Sequence, residues 1–264
     1  MVGQRGLRNM VLAAPWALLM LGMTVLEVQG ALQAPAAGHW RRSSRACPRL
    51  EKPQAEDVGF LVINLDRSPQ RLARMRQSFK EHNLPPFERV RGVEASPDGG
   101  PYDVPRLVRG LKWADYGTSL AHLRAWKAAA RSNYPWNIII EDDATLLPNA
   151  SYLELPPIPV DCDLILFRPS TIFEREDICE ETPVQDAYWG YGMVAYLVSR
   201  EGAQRMIQKA SRGFGGPIDG HIWYHNHVCT MRQDYISHYE CTAPCKDSIR
   251  TWLNGELADM PAPD

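Results

Sequence analysis

No stretch of this chain interleaves lysine and arginine with aromatic residues, and its 29 Lys+Arg against 31 Asp+Glu leave a formal net charge of −2. That balance excludes the basic footprint of a nucleic-acid binder. There is no C-x-x-C pair and no H-E-x-x-H segment, so neither the two-residue zinc-finger spacing nor the zincin motif is present. No segment repeats at a fixed period, which excludes solenoids and propellers. The N-terminal apolar run, "MVLAAPWALLMLGMTVL" (residues 10–26), carries no charge. It falls a little short of the ~20 apolar residues of a spanning helix.

What is present starts with that run. Arg5 and Arg8 precede it and small residues follow it, with Gly30 as one cleavage position. A charged start, a short apolar stretch and a small-residue exit predict a secretory signal over residues 1–30, with a type II signal anchor as the alternative. The remainder is then expected in the lumen of the secretory pathway (endoplasmic reticulum or Golgi) or outside the cell. All six cysteines, Cys47, Cys162, Cys179, Cys229, Cys241 and Cys245, lie beyond this segment. An even number in an oxidising compartment predicts disulfides, and the short "CTAPC" loop nominates Cys241 with Cys245. "NAS" at residues 149–151 is an acceptor sequon, which predicts a surface loop and a glycan on Asn149.

Residues 31–57 are rich in Ala, Pro, Arg and Ser without apolar period and read as a stem or linker. "VGFLVINL" (residues 58–65) reads as a buried strand. A helix follows, with Leu72, Met75 and Phe79 on one face, Ser68 at the N-cap and Pro69 at its first position. "FERVRGVEA" is a further strand, and "TSLAHLRAWKAAARSN" (residues 118–133) an Ala-rich helix. "WNIII", "CDLILF" and "GMVAYLVS" are strands, the last followed by the helix "REGAQRMIQKAS". This alternation predicts an α/β fold with a mixed, mostly parallel central sheet flanked by helices.

The stretch with the clearest chemistry is "NIIIEDDATLLPN" (residues 137–149), where an apolar strand runs into Glu141, Asp142 and Asp143. Adjacent carboxylates repel unless a cation, backbone donors or water compensates. Open α/β sheets bind ligands at the carboxyl ends of their strands. Carboxylate oxygens at such an end suit Mg²⁺ or Mn²⁺, which bridge to phosphates and neutralise a diphosphate leaving group. Glu141 and Asp143, two residues apart on an extended segment, are expected to face one ion.

Five blocks in order resemble glycosyltransferase family 25, the family of lipooligosaccharide and procollagen galactosyltransferases. They are "VINLDRSPQRLARM", "GTSLAHLRAW", "IIIEDDA", "GMVAYLVSREGAQRMI" and "GPIDGHIW". The resemblance implies a single GT-A-like domain over residues 58–252, followed by a flexible tail over 253–264. It implies a UDP-sugar donor, UDP-galactose in the first instance, a divalent metal (Mn²⁺ or Mg²⁺), and inverting transfer to a hydroxyl of a protein or glycan acceptor. Carried over residue by residue, it makes Glu141 and Asp143 the metal ligands and Asp219 the general base, with Asp115 and His221 as weaker candidates. Asn64, Leu65, Arg71, Asp142 and His122 fall at the donor site. Two alternatives stay open. One is a catalytically inactive relative acting as a secreted binding or adhesion module. The other is a zinc hydrolase built on "DGHIWYHNHVC" (residues 219–229), where His221 and His225 are spaced i, i+4. "YWGYGM" (residues 188–193) reads either as an aromatic substrate platform or as a tight turn with core aromatics.

Overall fold

The computed structural model describes residues 46–95, 113–168, 171–214 and 217–238. The expected signal segment, the tail and the Cys241–Cys245 pair lie outside these residues. Contacts divide the chain into Met1–Ser43 and Ser44–Asp264, and the described residues all belong to the second unit. None of the described helices is long and apolar enough to cross a membrane.

The strands are β1 (Leu50–Glu51), β2 (Val58–Asn64), β3 (Glu88–Arg91), β4 (Trp136–Glu141), β5 (Ala144–Leu146), β6 (Ile158–Pro159), β7 (Leu164–Leu166), β8 (Ile172–Asp177), β9 (Val184–Gly190), β10 (Ala195–Ser199), β11 (Val228–Met231) and β12 (Ile236–His238). The helices are α1 (Pro69–Glu81), α2 (Trp113–Arg131), α3 (Arg200–Ala210) and α4 (Ile218–His225). Eight strands form one mixed sheet in the order β3-β2-β4-β10-β7-β11-β9-β8. The α/β architecture matches the expectation. Six of the eight strands run one way, as a mixed, mostly parallel sheet requires, and β9 and β10 run the other. β2 runs parallel to β3 and β4, and β11 to β7, but β10 is antiparallel to both of its neighbours and β9 to both of its own. Buried strands of either direction read as continuous apolar runs once both sheet faces are covered, so the run of β10 carries no sign of its direction.

Both faces of β2 are covered, and all seven of its residues are buried. Alternation splits them. Leu61 and Ile63 join Ile139, Tyr196 and Val198 under α2 and α3. Phe60 and Val62 join Ile138 and Ile140 under α1, whose Met75 and Phe79 pack there at the spacing the sequence predicts. Helix α1 begins at Pro69 after Ser68, as expected, although the Ser68 hydroxyl makes no cap bond. Ser199 does cap α3, accepting from the Gly202 amide at 2.9 Å.

The chain joins this fold before residue 58. Strand β1 pairs with β6, and Cys47 is bonded to Cys179. Residues 46–57 are therefore tied in rather than part of a free stem. The ties are a two-residue strand and a covalent bond, and neither leaves a periodic signal. A second disulfide joins Cys162 to Cys229 across the parallel pair β7 and β11.

Candidate active site

Three strand ends meet at one rim of the sheet. Ile63 of β2 pairs with Glu141 of β4 in parallel register, so the carboxyl ends of these strands lie side by side. β10 runs the other way, so its amino end comes to the same rim, where the Glu141 amide donates to Val194 O at 2.8 Å. Alternation continues from Ile139 to Glu141 and directs the Glu141 side chain toward α2. Glycine lets α2 approach closely: a Cβ at Gly117 would lie 2.5 Å from Val93 O.

Glu141 thereby meets His122 of α2. His122 Nε2 is 2.8 Å from Glu141 Oε1, and its Nδ1 is 2.9 Å from the Tyr196 hydroxyl, which also accepts from Trp126 Nε1 at 2.9 Å. His122, Tyr196 and Trp126 are all buried. Burial pushes the imidazole down to about 4, against the pull of Asp219. His122 therefore serves Glu141 as a neutral partner. Burial also raises the Glu141 carboxyl well above the ordinary range, and the charges of Asp143, Asp219 and Asp142 raise it further.

Asp142 has a different fate from its neighbours. Its Oδ2 accepts from Asn64 Nδ2 at 2.6 Å, its Oδ1 from Arg71 Nη1 at 3.3 Å, and its carbonyl from Arg74 Nη2 at 3.1 Å. The Asn64 amide group also donates to Ser68 O at 2.9 Å, and its oxygen accepts from Arg89 Nε at 3.0 Å. The two residues form a buried clamp between the end of β2 and the acidic turn. Arg71 lies 3.9 Å from Asp143 Oδ2 as well and partly compensates the turn. Leu65 follows Asn64 at the rim, half-buried. Arg67 pairs with Glu94 at 3.5 Å, both exposed.

Asp143 is not on a strand. Residues 142–143 form the turn between β4 and β5, so alternation governs Glu141 alone and the i, i+2 argument does not extend to Asp143. Its Oδ1 is buried and has no hydrogen-bond partner among the described residues. A buried carboxylate oxygen without a donor is costly unless a cation completes it. Hard oxygen donors at a turn, one of them orphaned, fit Mg²⁺ or Mn²⁺. The backbone of His238 lies opposite Ala144 in the β5–β12 pair, at the same turn.

Asp219 enters from the first turn of α4. Its Oδ2 accepts from the Gly192 amide at 3.0 Å. Gly192 has φ +85°, a conformation that glycine adopts at no steric cost. Burial raises the Asp219 carboxyl, and the Gly192 amide, His122 and the Met193 amide oppose that rise. Asp219, Tyr191, Gly192 and Trp223 line a shallow concavity, and the Trp223 indole donates to Gly190 O at 2.9 Å. The "YWGYGM" segment is thus both strand and turn: β9 ends at Gly190, and Trp189 and Tyr191 remain partly exposed. Asp115 lies close enough to Asp219 to raise its carboxyl further. His221 is buried, stacks edge-on to Phe214 with ring centroids 5.1 Å apart, and is pushed down to about 4 by burial and then by His225.

The sulfur chemistry is elsewhere. Cys162, His227 and Cys229 do cluster, but the two cysteines are bonded to each other, so their thiolates are not available to zinc. Asn149 is exposed on a turn beyond β5. Sequence reasoning missed Tyr196 and Arg89, and left Trp126 without a role. Trp126 is one helical turn beyond His122, a spacing that places both on one face.

Comparison with known proteins bears on this geometry. Residues 58–155, which carry β2, α1, α2, β4 and the acidic turn, match the model of glycosyltransferase family 25 (LPS biosynthesis protein). The match supports that family. Two curated proteins, each described as a glycosyltransferase 25 family member, are similar to the chain. The one from Aedes aegypti is 24% identical over 214 residues, covering 73% of this chain and 35% of its own. The one from Drosophila pseudoobscura pseudoobscura is 26% identical over 181 residues, covering 61% and 29%. The chain therefore spans about a third of the length of the relatives it matches. Among solved structures, a Drosophila β-1,4-galactosyltransferase 7 mutant complexed with manganese, UDP-Gal and xylobiose aligns at TM-score 0.32 and 13% identity, over 74% of this chain and 78% of that one. The family match and the curated relatives support glycosyl transfer as the class of activity.

Proposed function

We propose that the chain is an inverting, metal-dependent glycosyltransferase of GT-A type that moves a sugar, galactose from UDP-galactose in the first instance, to a hydroxyl of a protein or glycan acceptor. The observation that carries this reading is one juxtaposition. At the rim where β2 and β4 end, the charges of Asp143 and Asp219 both reach Glu141, and Asp143 Oδ1 is buried without a hydrogen-bond partner among the described residues. Glu141 and Asp143 would hold a divalent cation, Mn²⁺ or Mg²⁺, which would supply the charge that a departing diphosphate needs. Asn64 and Asp142 position the turn, and Arg71 offers its half-exposed guanidinium to the same anionic group.

Asp219 takes the acceptor hydroxyl proton. As the acceptor oxygen bonds to the anomeric carbon, the bond from that carbon to the diphosphate oxygen breaks, UDP departs and the configuration inverts. Burial raises the Asp219 carboxyl and so makes it a stronger base than an exposed aspartate, while the Gly192 amide keeps it oriented. Expected placement in the secretory pathway agrees with a lumenal transferase and with a glycan on Asn149.

A screen of nucleotide sugars tests the reading. UDP release is followed with Mn²⁺ and with EDTA, on the full chain, in the presence of candidate acceptors. The expected result is release from one donor class that EDTA abolishes. No metal-dependent release from any donor would favour the inactive binding module.

A further inference from the structure

We infer that Tyr196 and Trp126 are positioning residues for the cation-binding carboxylate. With His122 they form a buried hydrogen-bond chain of one polarity, ending in an N–H held against Glu141 Oε1. This rests on the assignment of Glu141 to a cation, made above.

The polarity follows from what each group can do. An indole N–H only donates, so the bond from Trp126 Nε1 at 2.9 Å makes the Tyr196 oxygen an acceptor. The phenol proton then needs an acceptor of its own, and Tyr196 is fully buried. His122 Nδ1, 2.9 Å away, is placed to be that acceptor. A neutral imidazole that accepts at Nδ1 carries its proton on Nε2, and Nε2 faces Glu141 Oε1 at 2.8 Å. The other tautomer would aim two donors at the phenol oxygen and a bare nitrogen at a carboxylate.

Each member comes from an element that the fold holds rigidly. Trp126 and His122 lie one turn apart on α2, and Tyr196 is paired with Ile139, two residues before Glu141 on the neighbouring strand. Alternation puts Tyr196, Ile139 and Glu141 under the same helix. One Glu141 oxygen is therefore fixed from within the core, and the carboxylate is oriented before any cation arrives. Partners behind a ligand that fix its orientation typically account for about 10–100-fold in metal affinity.

Tyr196→Phe tests this without removing a ligand. Two readouts are taken on the full chain: the His122 tautomer by long-range proton–nitrogen NMR, assigned by its loss in His122→Gln, and Mn²⁺ affinity by electron paramagnetic resonance titration. The wild type is expected to show a single tautomer protonated at Nε2. Tyr196→Phe is expected to lose that single tautomer and to weaken Mn²⁺ binding about 10–100-fold while keeping the wild-type circular dichroism. If Tyr196→Phe does not fold, Trp126→Phe, which leaves the Tyr196–His122 bond in place, is expected to weaken Mn²⁺ binding by a smaller factor. A wild-type His122 protonated at Nδ1 overturns the inference. So does Mn²⁺ affinity unchanged in the variant that folds, while Asp143→Asn abolishes binding; that result leaves the transferase reading standing. A wild type with no Asp143-dependent Mn²⁺ binding instead overturns the metal site itself, and the inference with it.

Discussion

Asn64 Nδ2 and Asp142 Oδ2 meet at 2.6 Å although 78 residues of chain separate them. Through this bond the end of the first long strand grips the acidic turn, and Asp142 is used up internally while Glu141 and Asp143 remain on either side of it. Of the three adjacent carboxylates the central one is thus held by internal contacts, and the proposal gives its two neighbours to the cation.

Removing the clamp is expected to be costly. Asn64→Ala leaves Asp142 Oδ2 without its donor, Ser68 O with only the Leu72 amide, and Arg89 Nε without its acceptor, all around a residue only 2% exposed. A loss of about 1–3 kcal/mol is expected, as for buried groups left unpaired. Urea denaturation of the variant and wild type measures it.

Asp163 offers a test of the electrostatics far from the rim. Burial pushes its carboxyl up, but Lys209 at 2.8 Å, Arg205 and the His227 amide at 2.9 Å outweigh that and hold it below the ordinary value of 3.8. A carboxyl lowered by folding stabilises the protein above its unfolded pKa, and that contribution fades as pH falls through the folded one. Asp163→Asn is therefore expected to be less stable than wild type near neutrality, by about 1–3 kcal/mol. The gap is expected to close in acid below 3.8. Chemical denaturation across a pH series checks both the size and the direction.

The legible part of this fold is the part written in local pattern. β2 and β4 are continuous apolar runs, and α1 carries Leu72, Met75 and Phe79 on one face, so each element can be placed from its own residues. The acidic turn is legible as well, because three carboxylates after a buried strand demand an explanation. What could not be read is what depends on partners. The antiparallel run of β10 brings its amino end to the rim, and the residues of β10 do not encode it. The meeting of His122 with Tyr196 spans 74 residues. The tie between Cys47 and Cys179 spans 132, and Arg89 becomes an Asn64 partner only once β3 lies beside β2. The expectation that Glu141 and Asp143 share one strand face fails because the strand ends between them.

The exposed turn at Asn149 leads to a simple expectation. Expressed through a secretory pathway, the chain should carry an N-linked glycan there. The electrophoretic mobility of the wild type is expected to shift on treatment with an N-glycosidase, and Asn149→Gln is expected to remove the shift.

Asp219→Asn separates base from ligand. The amide keeps the shape and an acceptor oxygen for the Gly192 amide, but it cannot take a proton. kcat is expected to fall by about 10²–10⁴-fold, the usual contribution of a general base, with Mn²⁺ affinity close to wild type. Steady-state kinetics at saturating donor, together with a Mn²⁺ titration, would reveal either effect.

Asp143→Asn addresses the rim most directly, because it neutralises the carboxylate whose Oδ1 is buried without a partner among the described residues. UDP release from the preferred nucleotide sugar is measured for wild type and variant across a Mn²⁺ series, alongside thermal melts of both. Loss of metal-dependent release in a variant that melts no lower than wild type is the expected result. Full metal-dependent turnover by Asp143→Asn would contradict the proposal that this turn holds the cation.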